Sequence, residues 1–246
     1  MPFTEISYPG ISPDGNWAAF AAADVNSKWD VYYMNVAGGE PRRMTSDSSS
    51  HITQVDISPD GGRIAYDRWN PTVQLYEVCF VSVLGGVSKR IADTGYRPRW
   101  RPDGTRIGYL VNNVAGNKAS GVLEFWTVQA DGDARKQEFG EHLSTSSTLS
   151  SFSWSPDGNV LIALSLISYL SWHRDASGAL VSEHAYHMVG NNLKKWAWSP
   201  DSRYLLAWDH EGSVYLFERE KNGSLSKNGH KFARGVNEPV WSNDGR

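Results

Sequence analysis

The chain has 246 residues, a nearly balanced formal charge of −3, and an aromatic content that includes 11 Trp and 11 Tyr. Acidic and basic residues are interspersed, which excludes the one-sided basic surface that nucleic acid binding uses. The single cysteine, Cys79, excludes an intramolecular disulfide and is expected to be a buried, inert thiol. No apolar run is long enough to span a membrane, so we expect no membrane insertion by this chain.

A short Ser-Pro-Asp-Gly motif divides the chain into units. Copies and variants of it recur with a period of roughly 40–50 residues, which indicates stacked supersecondary units. In each unit a short strand precedes the motif, an apolar strand follows it, and a third strand leads through a tight turn to a fourth, more polar strand. Four short strands per unit, separated by Gly, Asn and Asp turns, are typical of a β-propeller blade.

Four of the units show all of these strands in chain order. In the first unit the predicted strands are Ser7–Ile11, Trp17–Ala22, Trp29–Val36 and Pro41–Thr45. In the second they are Thr53–Ile57, Arg63–Asp67, Gln74–Val83 and Val87–Ala92. In the third they are Arg97–Trp100, Arg106–Val111, Leu123–Gln129 and Ala134–Phe139. In the fifth they are Lys195–Trp198, Tyr204–Trp208, Ser213–Glu218 and a weak final strand.

Three units depart from this pattern. The third carries an insertion, Asn112–Gly121, and the fourth has a long apolar second strand, Val160–Ile167, without a clean Gly-Gly turn. The sixth stops at Arg246, directly after its first turn. Because a propeller closes by joining its last blade to its first, we expect a fragment of a longer propeller, with an open arc as the alternative.

The pattern predicts an all-β fold, namely a β-propeller of four-stranded antiparallel blades with five complete blades plus the first strand of a sixth. We expect a single, truncated domain over residues 1–246. The predicted blades cover about 1–50, 51–95, 96–148, 149–192 and 193–235, with a partial blade over 236–246.

The motif itself has a mechanical interpretation. Proline presets φ for the second turn position, aspartate can accept a bond from a nearby backbone N–H, and glycine tolerates a positive φ. Ser202 replaces the glycine in the fifth copy, which predicts either strain or a different turn there. We therefore expect a structural rather than catalytic role for the motif aspartates, which are Asp14, Asp60, Asp103, Asp157, Asp201 and Asp244.

The unit Pro98–Tyr109 resembles the repeat of TolB-type β-propellers, and the resemblance extends over essentially the whole chain. The motif is specific for the fold and much less so for function. The same repeat occurs in periplasmic TolB, in propeller domains of prolyl oligopeptidase-type enzymes and in sensor regions of bacterial kinases. The resemblance implies a periplasmic or other extracytoplasmic location, although Met1–Glu5 lacks the basic and apolar regions of a signal peptide.

Motifs for catalysis are missing from the sequence. There is no Gly-x-Ser-x-Gly nucleophile elbow, phosphate-cradling loop or pair of catalytic carboxylates. His184 and His187 would lie on opposite faces of a strand and so make a poor metal site. We expect no catalysis in this chain, no cofactor and no metal, with a metal- or sugar-handling propeller enzyme as the weakest alternative.

Binding is the remaining class of function. In propellers, the loops that enter each innermost strand cluster around one mouth of the channel, opposite the motif turns, and loops on a rigid frame often carry recognition. These loops supply the candidate binding residues His51, Gln54, Arg97, Arg99, Lys194, Lys195, Asn237 and Glu238. Four of them, Arg97, Arg99, Lys194 and Lys195, predict a mildly basic mouth. The insertion Asn112–Gly121 is a second candidate surface, with disorder as the alternative.

Two functional hypotheses follow. The first is a TolB-like scaffold that binds a protein or peptide partner and does not bind nucleic acid. The second is the substrate-gating propeller of a prolyl oligopeptidase-type serine peptidase, or the sensor propeller of a kinase, whose catalytic domain is absent from these residues.

Overall fold

The structure, a computed structural model, describes residues 3–6, 9–46, 49, 51–113, 122–142, 151–164, 169–186, 193–226, 229–235 and 240–242. Every regular element in these ranges is a β-strand. The chain divides into two compact units, Met1–His142 and Leu143–Arg246. The single domain that the sequence predicts over residues 1–246 stays a prediction.

The first unit contains three antiparallel sheets whose strands follow chain order. The first sheet consists of β1 (Glu5–Ile6), β2 (Gly10–Ile11), β3 (Trp17–Ala23), β4 (Trp29–Asn35) and β5 (Arg42–Arg43), and both β1 and β2 pair with β3. The second consists of β6 (Val55–Ile57), β7 (Arg63–Asn70), β8 (Leu75–Ser82) and β9 (Lys89–Ala92). The third consists of β10 (Tyr96–Trp100), β11 (Arg106–Asn113), β12 (Val122–Gln129) and β13 (Lys136–His142).

The second unit contains two further four-stranded antiparallel sheets. One consists of β14 (Ser151–Trp154), β15 (Val160–Leu164), β16 (Tyr169–Arg174) and β17 (Leu180–Tyr186). The other consists of β18 (Leu193–Trp198), β19 (Tyr204–Asp209), β20 (Val214–Glu218) and β21 (His230–Ala233). The predicted all-β class is therefore confirmed, and each sheet has the antiparallel strand pairing of a propeller blade. The chain has no helix among the described residues that could cross a membrane.

Some sequence predictions fall partly outside the described residues. The insertion is described only as far as Asn113, where β11 ends, and the long apolar strand as far as Leu164. Of the sixth unit, residues 240–242 are described and form no strand, whereas Asp244 lies outside the described part. Trp241 nevertheless donates its indole N–H to the Ala197 carbonyl over 2.9 Å, so this unit contacts the fifth sheet.

Both faces of the middle sheet of the first unit are buried. Successive side chains of a strand point to opposite faces. Ile64 and Tyr66 on β7 accordingly pack with the first sheet, whereas Ala65 on β7 and Val78 on β8 pack with the third. This burial on both faces explains why Ile64, Ala65 and Tyr66 of β7 are apolar in succession instead of alternating with polar residues. It also explains why Cys79 of β8 is fully buried.

A shared hydrogen-bond arrangement shapes the motif turns. The Ser12 hydroxyl donates to Asp14 Oδ1 over 2.5 Å and accepts from the Trp17 backbone N–H over 2.9 Å, and the second, fourth and fifth copies repeat this pattern. In the third copy an arginine replaces the serine, and its guanidinium lies 3.3 Å from Asp103.

Ser202 keeps the turn of the glycine that it replaces. Its φ of 61° is close to the 70° of Gly158 in the preceding copy, so the turn type is retained and the serine has the left-handed conformation. The Ser202 hydroxyl oxygen accepts a bond from the Asp157 backbone N–H over 3.0 Å. The strain at Ser202 thus accompanies a contact between two neighbouring turns.

Candidate functional site

A buried carboxylate joins two mouth loops of the first unit. Asp67 lies in the middle of β7 and is fully buried. It accepts bonds from the backbone N–H groups of Thr53 (2.7 Å), Gln54 (3.2 Å) and Arg97 (2.7 Å), and from the Thr53 hydroxyl. The loop before β6 and the loop before β10 are therefore fastened to the same side chain.

Asp67 occupies a strand position that is apolar in the neighbouring sheets. The equivalent residues are Ala21 on β3 and Leu110 on β11, both fully buried. Burial raises the pKa of Asp67, and the bonds from Thr53, Arg97 and Gln54 oppose this rise. A carboxylate at such a position is costly unless it is fully hydrogen-bonded, which indicates that its role is to position the loops.

The loop before β10 has an unusual backbone. Arg97 has a φ of 55°, in the left-handed region that costs a non-glycine residue roughly 1–2 kcal/mol. Two residues earlier, Gly95 donates its N–H to the Tyr76 carbonyl over 2.8 Å. A Cβ at Gly95 would lie 2.4 Å from Cδ2 of Tyr109. The loop therefore sits tightly against the sheet, and Asp67 holds Arg97 in its strained conformation.

Four side chains form what we call the aromatic wall: His51, Trp69, Tyr76 and Tyr96. Trp69 and Tyr76 are a cross-strand pair with ring centroids 5.1 Å apart, and Tyr96 lies 6.5 Å from Tyr76. His51 Nδ1 is 2.7 Å from the Tyr76 hydroxyl, and its ring meets that of Trp29 edge-on at 5.4 Å. His51 is exposed and the other three members are half-buried, so the wall faces solvent in part.

Arg97 adds a positive charge beside this wall. Burial raises the pKa of Tyr76, the negative charge of Asp67 adds to the rise, and the charge of Arg97 opposes it. Arg97 directly follows Tyr96 of the aromatic wall in the chain. Within the described part of the chain it has no ion-pair partner. Two apolar residues shortly before Tyr76 in the chain, Val73 and Leu75, are 53% and 41% exposed.

Other charges near the mouth already have partners. Glu77 is buried and accepts bonds from Arg68 (3.1 Å), Arg90 (2.9 Å) and Asn70 (2.8 Å). Burial alone would raise the pKa of Glu77, but these three bonds outweigh it and lower the pKa. Arg90 also lies 3.1 Å from Asp93. This cluster links β7, β8 and β9 of the second sheet. Arg97 takes no part in these contacts.

Arg99 and Gln54 have internal contacts. Arg99 lies 3.2 Å from Asp56, whose other oxygen accepts the Trp100 backbone N–H over 2.7 Å. Burial raises the pKa of Asp56, and the charge of Arg99 opposes the rise. Gln54 is buried and donates its side-chain amide to the Val55 carbonyl over 2.8 Å. These two residues support the inner strands and the loop, whereas His51 is exposed and Arg97 is half-buried without an ion-pair partner among the described residues.

The remaining candidates belong to the second unit. Lys195 is exposed on β18, opposite Trp208 of β19. Lys194 is on the same strand, but its side chain lies outside the described part, as do Asn237 and Glu238. The basic mouth that the four cations were expected to form therefore stays a prediction.

Sequence reasoning missed most of the wall. Trp69, Tyr76 and Tyr96 lie at strand ends, where aromatic residues are common, so nothing in the sequence marks them as neighbours. Asp67 left one usable signal, because it interrupts the apolar run that begins at Ile64. Within the described ranges, no three His, Cys, Asp or Glu side chains are close enough together to hold a metal ion.

Comparison with known proteins identifies relatives for part of the chain. No family model matches the sequence. A segment of 111 residues is 32% identical to the uncharacterized peptidase YuxL of Bacillus subtilis, which amounts to 42% of this chain and 16% of that protein. The chain therefore spans much less than two thirds of this relative.

Solved structures identify the fold. A structure assigned to TolB of Agrobacterium tumefaciens superposes with a TM-score of 0.65 and 17% identity, over 100% of this chain and 88% of that one. An acylaminoacyl peptidase solved with Z-Gly-Gly-Phe-chloromethyl ketone superposes with a TM-score of 0.62 and 14% identity, over 92% of this chain and 39% of that one. The chain has a TolB-type β-propeller fold, as the sequence resemblance implied.

Proposed function

We propose that this chain is a non-enzymatic binding propeller that holds a protein or peptide segment at the mouth of the first unit. The observation that carries the proposal is the aromatic wall beside the Arg97 guanidinium. Binding sites between proteins are enriched in Tyr, Trp and Arg, and such residues supply most of the binding energy. The wall combines these residue types on one partly exposed surface.

The rigidity of the mouth supports the proposal. Side chains on loops bind well when the backbone is preorganised, because less conformational entropy is lost on association. Asp67 fastens both loops, and Gly95 packs against Tyr109. Strained backbone such as that of Arg97 is found preferentially at functional sites. The strain and the exposure of the wall thus support the same function.

A random peptide library displayed on phage provides the test. We expect selected peptides to bind the chain, and the His51→Ala and Trp69→Ala variants to lose about tenfold or more in affinity, equal to about 1.4 kcal/mol. Phe232→Ala is the matched control, because Phe232 is 69% exposed on β21 of the second unit. Equal affinity of all three variants and the parent, measured by calorimetry, would place binding elsewhere, and a library that yields no binder would contradict the proposal.

The identity with the YuxL segment favours a second candidate, in which the propeller admits peptides to a serine peptidase domain. The test is the reading frame that encodes these residues. A downstream Gly-x-Ser-x-Gly segment in an α/β-hydrolase context would support this function. In such an enzyme, Trp69→Ala should change the cleavage of peptides and leave the hydrolysis of a small ester unchanged.

The extracytoplasmic location that the resemblance implies is tested by fractionating native cells.

A further inference from the structure

The charges around the mouth of the first unit are unevenly balanced. Glu77 is paired with Arg68 and Arg90, and Asp56 is paired with Arg99. In each of these clusters the carboxylate already has its cation within hydrogen-bond distance. Arg97, by contrast, has no carboxylate partner among the residues that the structure describes.

Asp67 does not fill this role for Arg97. Its two oxygens already accept four bonds, from three backbone N–H groups and the Thr53 hydroxyl. The bond from Arg97 comes from its main chain, so the guanidinium keeps its own donors. A half-buried guanidinium with open donors is a strong site for a carboxylate, because charge-assisted hydrogen bonds are about twice as strong as neutral ones.

His51 contributes a second donor. His51 Nδ1 lies 2.7 Å from the Tyr76 hydroxyl, and in the tautomer in which Nδ1 accepts from this hydroxyl the ring proton is on Nε2. The imidazole is exposed, so this N–H is available to a ligand. His51 therefore contacts Tyr76, Arg97 follows Tyr96 of the same wall, and Leu75 before Tyr76 is an exposed apolar residue.

We infer that the mouth of the first unit selects a peptide segment that carries a carboxylate, which is bound by the Arg97 guanidinium. Neighbouring apolar side chains of the same segment pack on the aromatic wall. This inference rests on the proposed peptide-binding function and names the class of segment that the site prefers.

The test uses a synthetic positional-scanning library of capped peptides in which one position is Glu, Gln or Lys and the others are mixtures. We expect the best Glu peptides to bind about tenfold more tightly than their Gln counterparts and the Lys peptides to bind most weakly. A parallel set with Gln side chains and free C-termini distinguishes a terminal carboxylate from a side-chain one. The preference for Glu should weaken as the salt concentration rises.

Two variants assign the preference to Arg97. Arg97→Asn removes the charge and suits the left-handed backbone, so it should fold and bind Glu and Gln peptides equally. Arg97→Lys keeps a charge and should retain part of the preference. Arg203→Gln in the second unit removes the same formal charge and should change nothing.

The outcomes separate the two proposals. Equal binding of Glu and Gln peptides to the parent chain would overturn the carboxylate inference and leave peptide binding intact. A Glu preference that persists in Arg97→Asn would likewise overturn the role of Arg97. Absence of binding by all three sub-libraries would overturn the proposed function together with the inference.

Discussion

Replacing Arg97 with glycine should stabilise the first unit while removing the carboxylate preference. The left-handed conformation costs an arginine about 1–2 kcal/mol, and glycine in its place would avoid this cost. Glycine loses about 0.5–1 kcal/mol more conformational free energy on folding. The bond to Asp67 comes from the main-chain N–H and is retained. The net expected gain is about 0.75 kcal/mol, as the difference between the midpoints of these two ranges.

Differential scanning calorimetry measures this effect. A gain of 1 kcal/mol raises the melting temperature by about 2–4 °C for a domain of roughly 150–250 residues, so we expect a rise of about 1–4 °C. Arg99→Gly is the contrasting control, because it leaves Asp56 without its cation at 3.2 Å and places a glycine within β10. That variant should melt at a lower temperature than the parent.

A lower melting temperature for Arg97→Gly would refute this reasoning. It would mean that the guanidinium contributes more to the fold than the backbone strain costs, and Arg97 would then be a structural residue. Stabilisation with unchanged binding of Glu peptides would confirm the strain and contradict the role in recognition. The strain argument requires the stabilisation, and the carboxylate inference requires the loss of preference.

Two further predictions concern stability alone. Gly95→Ala should destabilise the first unit by about 2–4 kcal/mol, because the new Cβ would lie 2.4 Å from the Tyr109 ring. Gly85→Ala is the control: its Cβ would have no atom within 4 Å, so it should cost only about 1 kcal/mol of backbone strain. Similar losses of stability for the two variants in urea unfolding would contradict the close approach at Gly95. Burial opposes ionisation of Asp157, but hydrogen bonds, including one from Arg219, lower its pKa from 3.8 to about 2. Because the folded-state pKa is the lower one, this stabilisation is present above about pH 4 and is lost as the pH falls toward about 2. Arg219→Gln should therefore reduce the dependence of the unfolding free energy on pH between about 4 and 2. An unchanged dependence would show that the ion pair is not responsible.

The arrangement of the blades can be read from the sequence alone. The motif recurs at a regular period, and each strand is short enough to recognise from its apolar residues and the turns beside it, so the predicted strands of the first three units lie close to the observed ones. This works because blade formation depends on local turn chemistry and strand pairing between neighbours in the chain. Even the strain at Ser202 could be anticipated, since the motif specifies a left-handed residue at that position.

Which mouth residues act together depends instead on the tertiary structure. Arg97 and Arg99 look equivalent in the sequence, yet Arg99 is paired with Asp56 from another sheet and Arg97 is not. Pairing of this kind depends on side-chain direction and on contacts between residues far apart in the chain, and no local pattern encodes it. The same reason hid Asp67, whose bonds join two loops from different blades. A carboxylate at an apolar strand position is explained only once the loops that it holds are in view.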